Sequence, residues 1–103
     1  MTHSVCYKIY GQDFHIEPDS VQFANAVFHD EYRINDLRSH NVRTILDVGS
    51  HVGSFTVMAN HYWPNAKIVA VEPHPQSFEL LTKNTSHIPD SQILRINAAI
   101  SPK

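Results

Sequence analysis

The segment Asp47-Val48-Gly49-Ser50-His51-Val52-Gly53 constrains this chain more than any other, because it joins two patterns of different period. Before it, Arg43-Thr44-Ile45-Leu46-Asp47-Val48 is the short β-branched and apolar run of a strand buried in a parallel sheet. Behind it, Phe55, Met58, Ala59 and Tyr62 fall at i, i+3, i+4 and i+7, a one-sided helical stripe that reads as core. The chain has only three glycines, Gly11, Gly49 and Gly53, and two of them sit in this one turn. Gly49 permits a tight turn and a close ligand approach that a Cβ would block, and Gly53 lets the following helix start close to the strand.

The same alternation then repeats. Trp63-Pro64-Asn65 ends the helix, since proline cannot continue it, and Trp63 packs at that end. Lys67-Ile68-Val69-Ala70-Val71-Glu72 is a second buried strand closed by Pro73. A helix over about Pro75 to Asn84 comes next, with Phe78, Leu81 and Thr85 on one side and a favourable Glu79/Lys83 pair. Gln92 to Ile100 is a third strand. Strand, helix, strand, helix, strand with right-handed crossovers makes the three strands parallel, the half-unit of a doubly wound α/β sheet. Upstream, Val5 to Ile16 alternates around Gly11-Gln12-Asp13 as a small hairpin, and Pro18-Asp19-Ser20 punctuates the chain and caps the next helix. In that helix Val21, Ala24, Val27 and Phe28 have helical spacing, and Asp30 to Asn41 reads as an irregular lead-in with a short helix. The expected division is residues 1–41 as lead-in and 42–103 as the sheet unit.

Ligands of open α/β sheets bind at the carboxyl edge of the strands, where Asp47, the two glycines and Glu72 converge. Nineteen positions separate Gly53 from Glu72, near the spacing at which a carboxylate meets the ribose hydroxyls of a bound nucleoside and accepts two hydrogen bonds at once. The dinucleotide fingerprint would need glycine where His51 and Ser54 stand, so a nicotinamide oxidoreductase is disfavoured, and no Gly-Lys-Ser/Thr is present to make a phosphate loop. A nucleoside without a phosphate chain remains.

The Asp-x-Gly-x-x-x-Gly pattern, with an acid closing the next strand, resembles the cofactor motifs of class I S-adenosylmethionine-dependent methyltransferases. Ile45 to Thr56, then Val69-Ala70-Val71-Glu72-Pro73-His74-Pro75 leading to Phe78-Glu79-Leu80-Leu81, then Asn97-Ala98-Ala99-Ile100-Ser101, is similar to the FkbM family of that class, with Glu31-Tyr32 resembling its lead-in. The chain departs from that family at His51, where small or amide residues are usual. The resemblance implies a Rossmann-like half-sheet that binds S-adenosylmethionine. It implies that Gly49, Ser50 and Gly53 form the floor under the methionine and ribose, and that Asp47 orients the loop and the cofactor's amino group. Glu72 would hold the ribose hydroxyls, Pro73 would shape the adenine edge, and Asn97 and Ala98 would contact the adenine. The implied reaction is O-methylation of a small-molecule or carbohydrate hydroxyl. The family's acceptor-side groups lie beyond the third strand, so no catalytic residue is assigned and the chain reads as a fragment holding the cofactor half. The alternative is a non-catalytic nucleoside-binding or interaction module on the same half-fold.

Composition narrows the remaining classes. Eight Lys and Arg against ten Asp and Glu, scattered without a run, give a formal charge of −2 and no clustered footprint for phosphates, so nucleic acid is not expected as a partner. No apolar stretch approaches the length of a bilayer span, so no membrane is expected. Cys6 is the only cysteine, which excludes an internal disulfide and points to a cytoplasmic setting. Its place in a strand, without a nearby His or Asp partner in sequence, reads as a buried structural thiol. Eight histidines lie ten to fourteen residues apart with no His-x-x-x-His pair, so no metal site is expected; His51 and His74 at the ligand edge read as loop residues facing solvent. The oligomeric state is not legible.

Overall fold

A computed structural model describes residues 4–29 and 40–99. The expected lead-in over Asp30 to Asn41, with Glu31 and Tyr32, lies almost wholly outside the described residues. Strands β1 (Val5–Ile9) and β2 (Gln12–Ile16) form an antiparallel hairpin in which Val5 pairs with Ile16 and Ile9 with Gln12. Its two-residue turn places Tyr10 at φ 50° and Gly11 at φ 79°, the paired positive angles that match the twist of the flanking strands. The ring of Tyr10 stacks on His61, with centroids 3.9 Å apart and planes 8° from parallel. A short 3-10 turn at Pro18–Ser20 leads into helix α1 (Val21–His29).

The sheet unit has the expected order: β3 (Thr44–Val48), α2 (Ser54–Tyr62), β4 (Lys67–Val71), α3 (Pro75–Asn84) and β5 (Ile93–Ile96). The strands are parallel in the order β3-β4-β5, with Ile45, Ile68 and Ile93 in one row and Leu46, Val69 and Leu94 in the next. Because side chains alternate along a strand, the first row faces α2 and α3 and joins Ala59, Ala66, Ala70, Leu81 and Ile88 in one core. Leu46 and Leu94 point to the opposite face and are 66% and 57% exposed. Among the described residues β3 pairs only with β4, so its other edge is open. The third strand is shorter than expected, because Asn97 to Ala99 leave the ladder.

A second core joins the hairpin and α1 to the sheet unit: Phe14, Ile16 and Ala24 pack with Val52, Val57 and Leu80. Helix α2 is therefore covered on two sides, by the sheet and by the hairpin, which buries Thr56 and Val57 as well as Met58 and Ala59. This corrects the stripe expected from sequence, since the wider buried arc turns Phe55 out of the core and leaves Tyr62 half-buried. Cys6 is likewise exposed and not a buried thiol, because it falls on the outer face of the hairpin. Trp63 caps α2, its N–H donating to Ala59 O at 2.8 Å, and packs against the first core as expected. No helix among the described residues is long and apolar enough to cross a membrane.

Candidate functional site

The in-register pairing of Val48 with Val71 brings the ends of β3 and β4 side by side, and the turn folds over the end of β4. Gly49 N–H and Ser50 N–H both donate to Val71 O, at 2.8 and 3.0 Å, and Gly53 N–H donates to Ser50 O at 2.9 Å. Ser50 Oγ donates back to Asp47 O at 2.8 Å, and Thr56 Oγ1 donates to Asp47 Oδ2 at 2.7 Å, so α2 fixes the orientation of the carboxylate. Gly49, His51 and Gly53 all have positive φ, at 74°, 56° and 97°. A Cβ on Gly53 would lie 2.9 Å from Leu81 Cδ1, so this glycine lets the turn approach α3. A Cβ on Gly49 would meet nothing within 4 Å, so its direction is open space.

Glu72 directly follows β4 and is 6% exposed. Its Oε1 accepts from His51 N–H at 2.7 Å and its Oε2 from His74 N–H at 2.8 Å, so both oxygens are held by backbone donors. Buried carboxylates need such partners. His74 in turn caps α3, with Nδ1 accepting from Ser77 N–H. Asn97 Nδ2 donates to the carbonyls of Glu72 and Pro73, at 2.9 and 3.1 Å, tying the end of β5 to the end of β4. Pro73 and Ala98 are exposed beside it.

A cleft of about 410 Å3 opens between this turn and α1, within the roughly 300–1,000 Å3 usual for small-molecule sites. Asp47, Gly49, Ser50 and His51 form one wall, with Phe23 and Val27 of α1 opposite and Phe55 beside them. The predicted residues thus fall into two groups. Asp47, Gly49 and Ser50 line the cleft; Glu72, Pro73, Asn97 and Ala98 lie across the neighbouring strand ends, linked to it by the bond from His51 to Glu72. Gly53 is buried beneath the turn. Sequence reasoning missed Thr56, whose spacing from Asp47 follows no pattern, and the backbone of His51, read only as a loop residue. Phe23 was detectable, as an apolar residue off the α1 stripe.

A parallel half-sheet with helices, carrying an acid-flanked glycine turn at its carboxyl edge, defines the half-fold of the class I methyltransferases. The chain matches the TRM5/TYW2 methyltransferase domain over residues 5–97, and it belongs to that family. Among solved structures it resembles TYW2 of M. jannaschii in complex with AdoMet, at 18% identity and a TM-score of 0.70, over 92% of this chain and 43% of that one. TYW2 of P. horikoshii in complex with MeSAdo is similar at 16% identity and a TM-score of 0.72, over 96% and 37%. A precorrin-6y C5,15-methyltransferase of Geobacter metallireducens shares the fold at 20% identity and a TM-score of 0.55, over 80% and 40%. This chain spans less than half the length of each of these structures. No curated protein sequence matches it.

The family match supports the class read from the motifs and does not show the FkbM family. It overturns the expected partners. The TRM5/TYW2 family methylates tRNA, which conflicts with a small-molecule or carbohydrate acceptor and with the exclusion of nucleic acid. Net charge is a weak guide to such a partner, because it measures phosphate neutralisation by this stretch of chain, and base recognition by stacking and hydrogen bonding needs no excess of cations.

Proposed function

We propose that this chain holds the cofactor-binding portion of an S-adenosylmethionine-dependent methyltransferase whose acceptor is a nucleoside of tRNA. The observation that supports the cofactor site best is Glu72, a buried carboxylate held by His51 N–H and His74 N–H, while the acceptor rests on the family match. A carboxylate has about four acceptor positions. After two backbone bonds, Glu72 retains capacity for the two ribose hydroxyls. Gly49 and Ser50, with Gly53 beneath, form the floor under the methionine and ribose. Asp47 receives the amino group, a role supported by the bond from Thr56 that anchors its Oδ2. Pro73, Asn97 and Ala98 border the adenine, with Asn97 holding the backbone of Glu72 and Pro73 in place.

When bound, the cofactor supplies a methyl group already activated by its sulfonium. The chain's own contribution is placement: the tethered turn fixes the nucleoside, and the apolar side chains of Phe23, Val27 and Phe55 line the cleft. The FkbM likeness of Glu72-Pro73-His74-Pro75 is retained as a likeness of this one element. A division at residues 41 and 42 and a cytoplasmic setting belong to the same proposal.

Calorimetry on the protein expressed from its full reading frame tests the reading. S-adenosylhomocysteine is expected to bind, and Glu72→Ala to weaken it by about 1–3 kcal/mol through loss of two charge-assisted bonds. Unchanged affinity in a folded Glu72→Ala protein would refute the ribose role. Radiolabelled methyl is expected to appear in bulk tRNA. Cofactor binding without labelled tRNA would refute the acceptor and leave the cofactor site standing.

A further inference from the structure

Alternation along β1 and β2 collects Cys6, Lys8, Asp13 and His15 on the outer face of the hairpin, away from the inward Phe14 and Ile16. Cys6 pairs directly with His15, and Lys8 with Asp13, so Asp13 lies diagonally across from Cys6. One ligand atom from each of Cys6, Asp13 and His15 lies within 4.8 Å of the others. Sequence spacing alone hid this cluster, because the hairpin register brings together residues seven to nine positions apart.

We infer that the outer face of the β1–β2 hairpin binds one divalent transition-metal ion, Zn2+ by ligand type, through Cys6 Sγ, a ring nitrogen of His15 and a carboxylate oxygen of Asp13. A thiolate, an imidazole and a carboxylate form the borderline-soft mixed set that suits zinc, and three protein ligands leave the fourth tetrahedral position to water. Ligand atoms around tetrahedral zinc stand roughly 3.4–3.8 Å apart, by trigonometry from the usual bond lengths. Binding closes the three ligand atoms from separations of up to 4.8 Å to that spacing, with Cys6 and Asp13 exposed and His15 half-buried. Lys8 Nζ lies 2.6 Å from Asp13 Oδ1, with both side chains largely exposed. That ammonium pairs with the Asp13 carboxylate. It also competes with the metal. Binding releases the Cys6 thiol proton to solvent and swings the Lys8 ammonium into water; no electron changes hands. The site shares no residue with the cleft, and it stands whether or not the proposed function does.

Titration of reduced, tag-free protein with Co2+ alone is the test, read by absorbance. The expected result is one ion per chain, a near-ultraviolet thiolate-to-metal band, and reversal of both by Zn2+. Cys6→Ser should abolish the band, and because Cys6 is exposed its circular dichroism should not change. His15→Ala should weaken binding at least about tenfold, the loss that even an outer-shell partner's removal brings. Lys8→Met should tighten it. The inference is overturned if wild-type protein gives no thiolate band, if Cys6→Ser binds as well as wild type, or if ultracentrifugation shows the metal shared between two chains.

Discussion

Replacing Asn84 should loosen the hairpin from the sheet unit. The side chain is 1% exposed and its amide makes three hydrogen bonds. Oδ1 accepts from His15 N–H at 2.5 Å, and Nδ2 donates to His15 O at 2.7 Å and to Val52 O at 2.8 Å. One side chain on α3 thus completes the free edge of β2 and anchors the turn behind β3. Asn84→Ala removes three bonds worth about 1 kcal/mol each and strands the buried Val52 carbonyl, while water reaches the half-buried His15 groups; the net loss is about 3–4 kcal/mol. Against a total of roughly 5–15 kcal/mol for a small domain, that is a large fraction. With an m-value of roughly 1–1.5 kcal/mol/M, the urea midpoint should fall by about 2–4 M. Asn84→Asp is the sharper probe. It can still accept from His15 N–H but turns a carboxylate toward two carbonyls, so it should be less stable than Asn84→Ala at neutral pH. A loss below about 1 kcal/mol for Asn84→Ala, or a more stable Asn84→Asp, would refute the bridging role.

Gly53→Ala forces an L-residue to φ 97° and puts its Cβ 2.9 Å from Leu81 Cδ1, a side chain with no exposed surface. Strain and displacement together should cost about 2 kcal/mol and lower Tm by roughly 8–15 °C, and a shift under about 3 °C in a thermal melt would contradict the close approach. The His87 residue is exposed, yet its pKa is lowered from 6.5, first by partial desolvation and second by the Arg95 charge. Its unfolded state therefore binds the proton more readily, so its contribution is fully present above about pH 6.5 and is lost as pH falls through the lower folded pKa. Urea midpoints measured from about pH 8 down to about pH 5 should fall more steeply for wild type than for His87→Gln, and parallel profiles would exclude the effect.

The strands and helices were legible because they carry their own periods. Ile45 and Ile68 announce buried strands, and Pro64 and Pro75 mark where helices stop and start. Thr56, Asn84 and the outer cluster on the hairpin were not legible, because each acts through a partner fixed only by tertiary register. Asn84 lies 69 positions from His15, and nothing local in either residue signals the pairing. Phe55 was misread for a related reason. A stripe predicts one buried face, whereas α2 is covered from two directions and its exposed side is what remains.

The fate of the turn's backbone amides bears on which ligand the cleft suits. Anion sites at a strand-to-helix turn work by presenting unpaired N–H groups. Here Gly49 and Ser50 donate to Val71 O, Gly53 donates to Ser50 O, and His51 donates to Glu72 Oε1. Four of the turn's amides are thus consumed within the protein, and the charged group at the edge is a carboxylate, which repels an anion. Under the proposed function, a turn wired in this way offers its ligand an open glycine surface, Asp47 and the remaining acceptor capacity of Glu72. On that reading it favours a ligand that donates hydrogen bonds through hydroxyl and amino groups over one that brings a phosphate chain. The missing glycines at positions 51 and 54 argued the same from spacing, and the hydrogen bonds supply the cause.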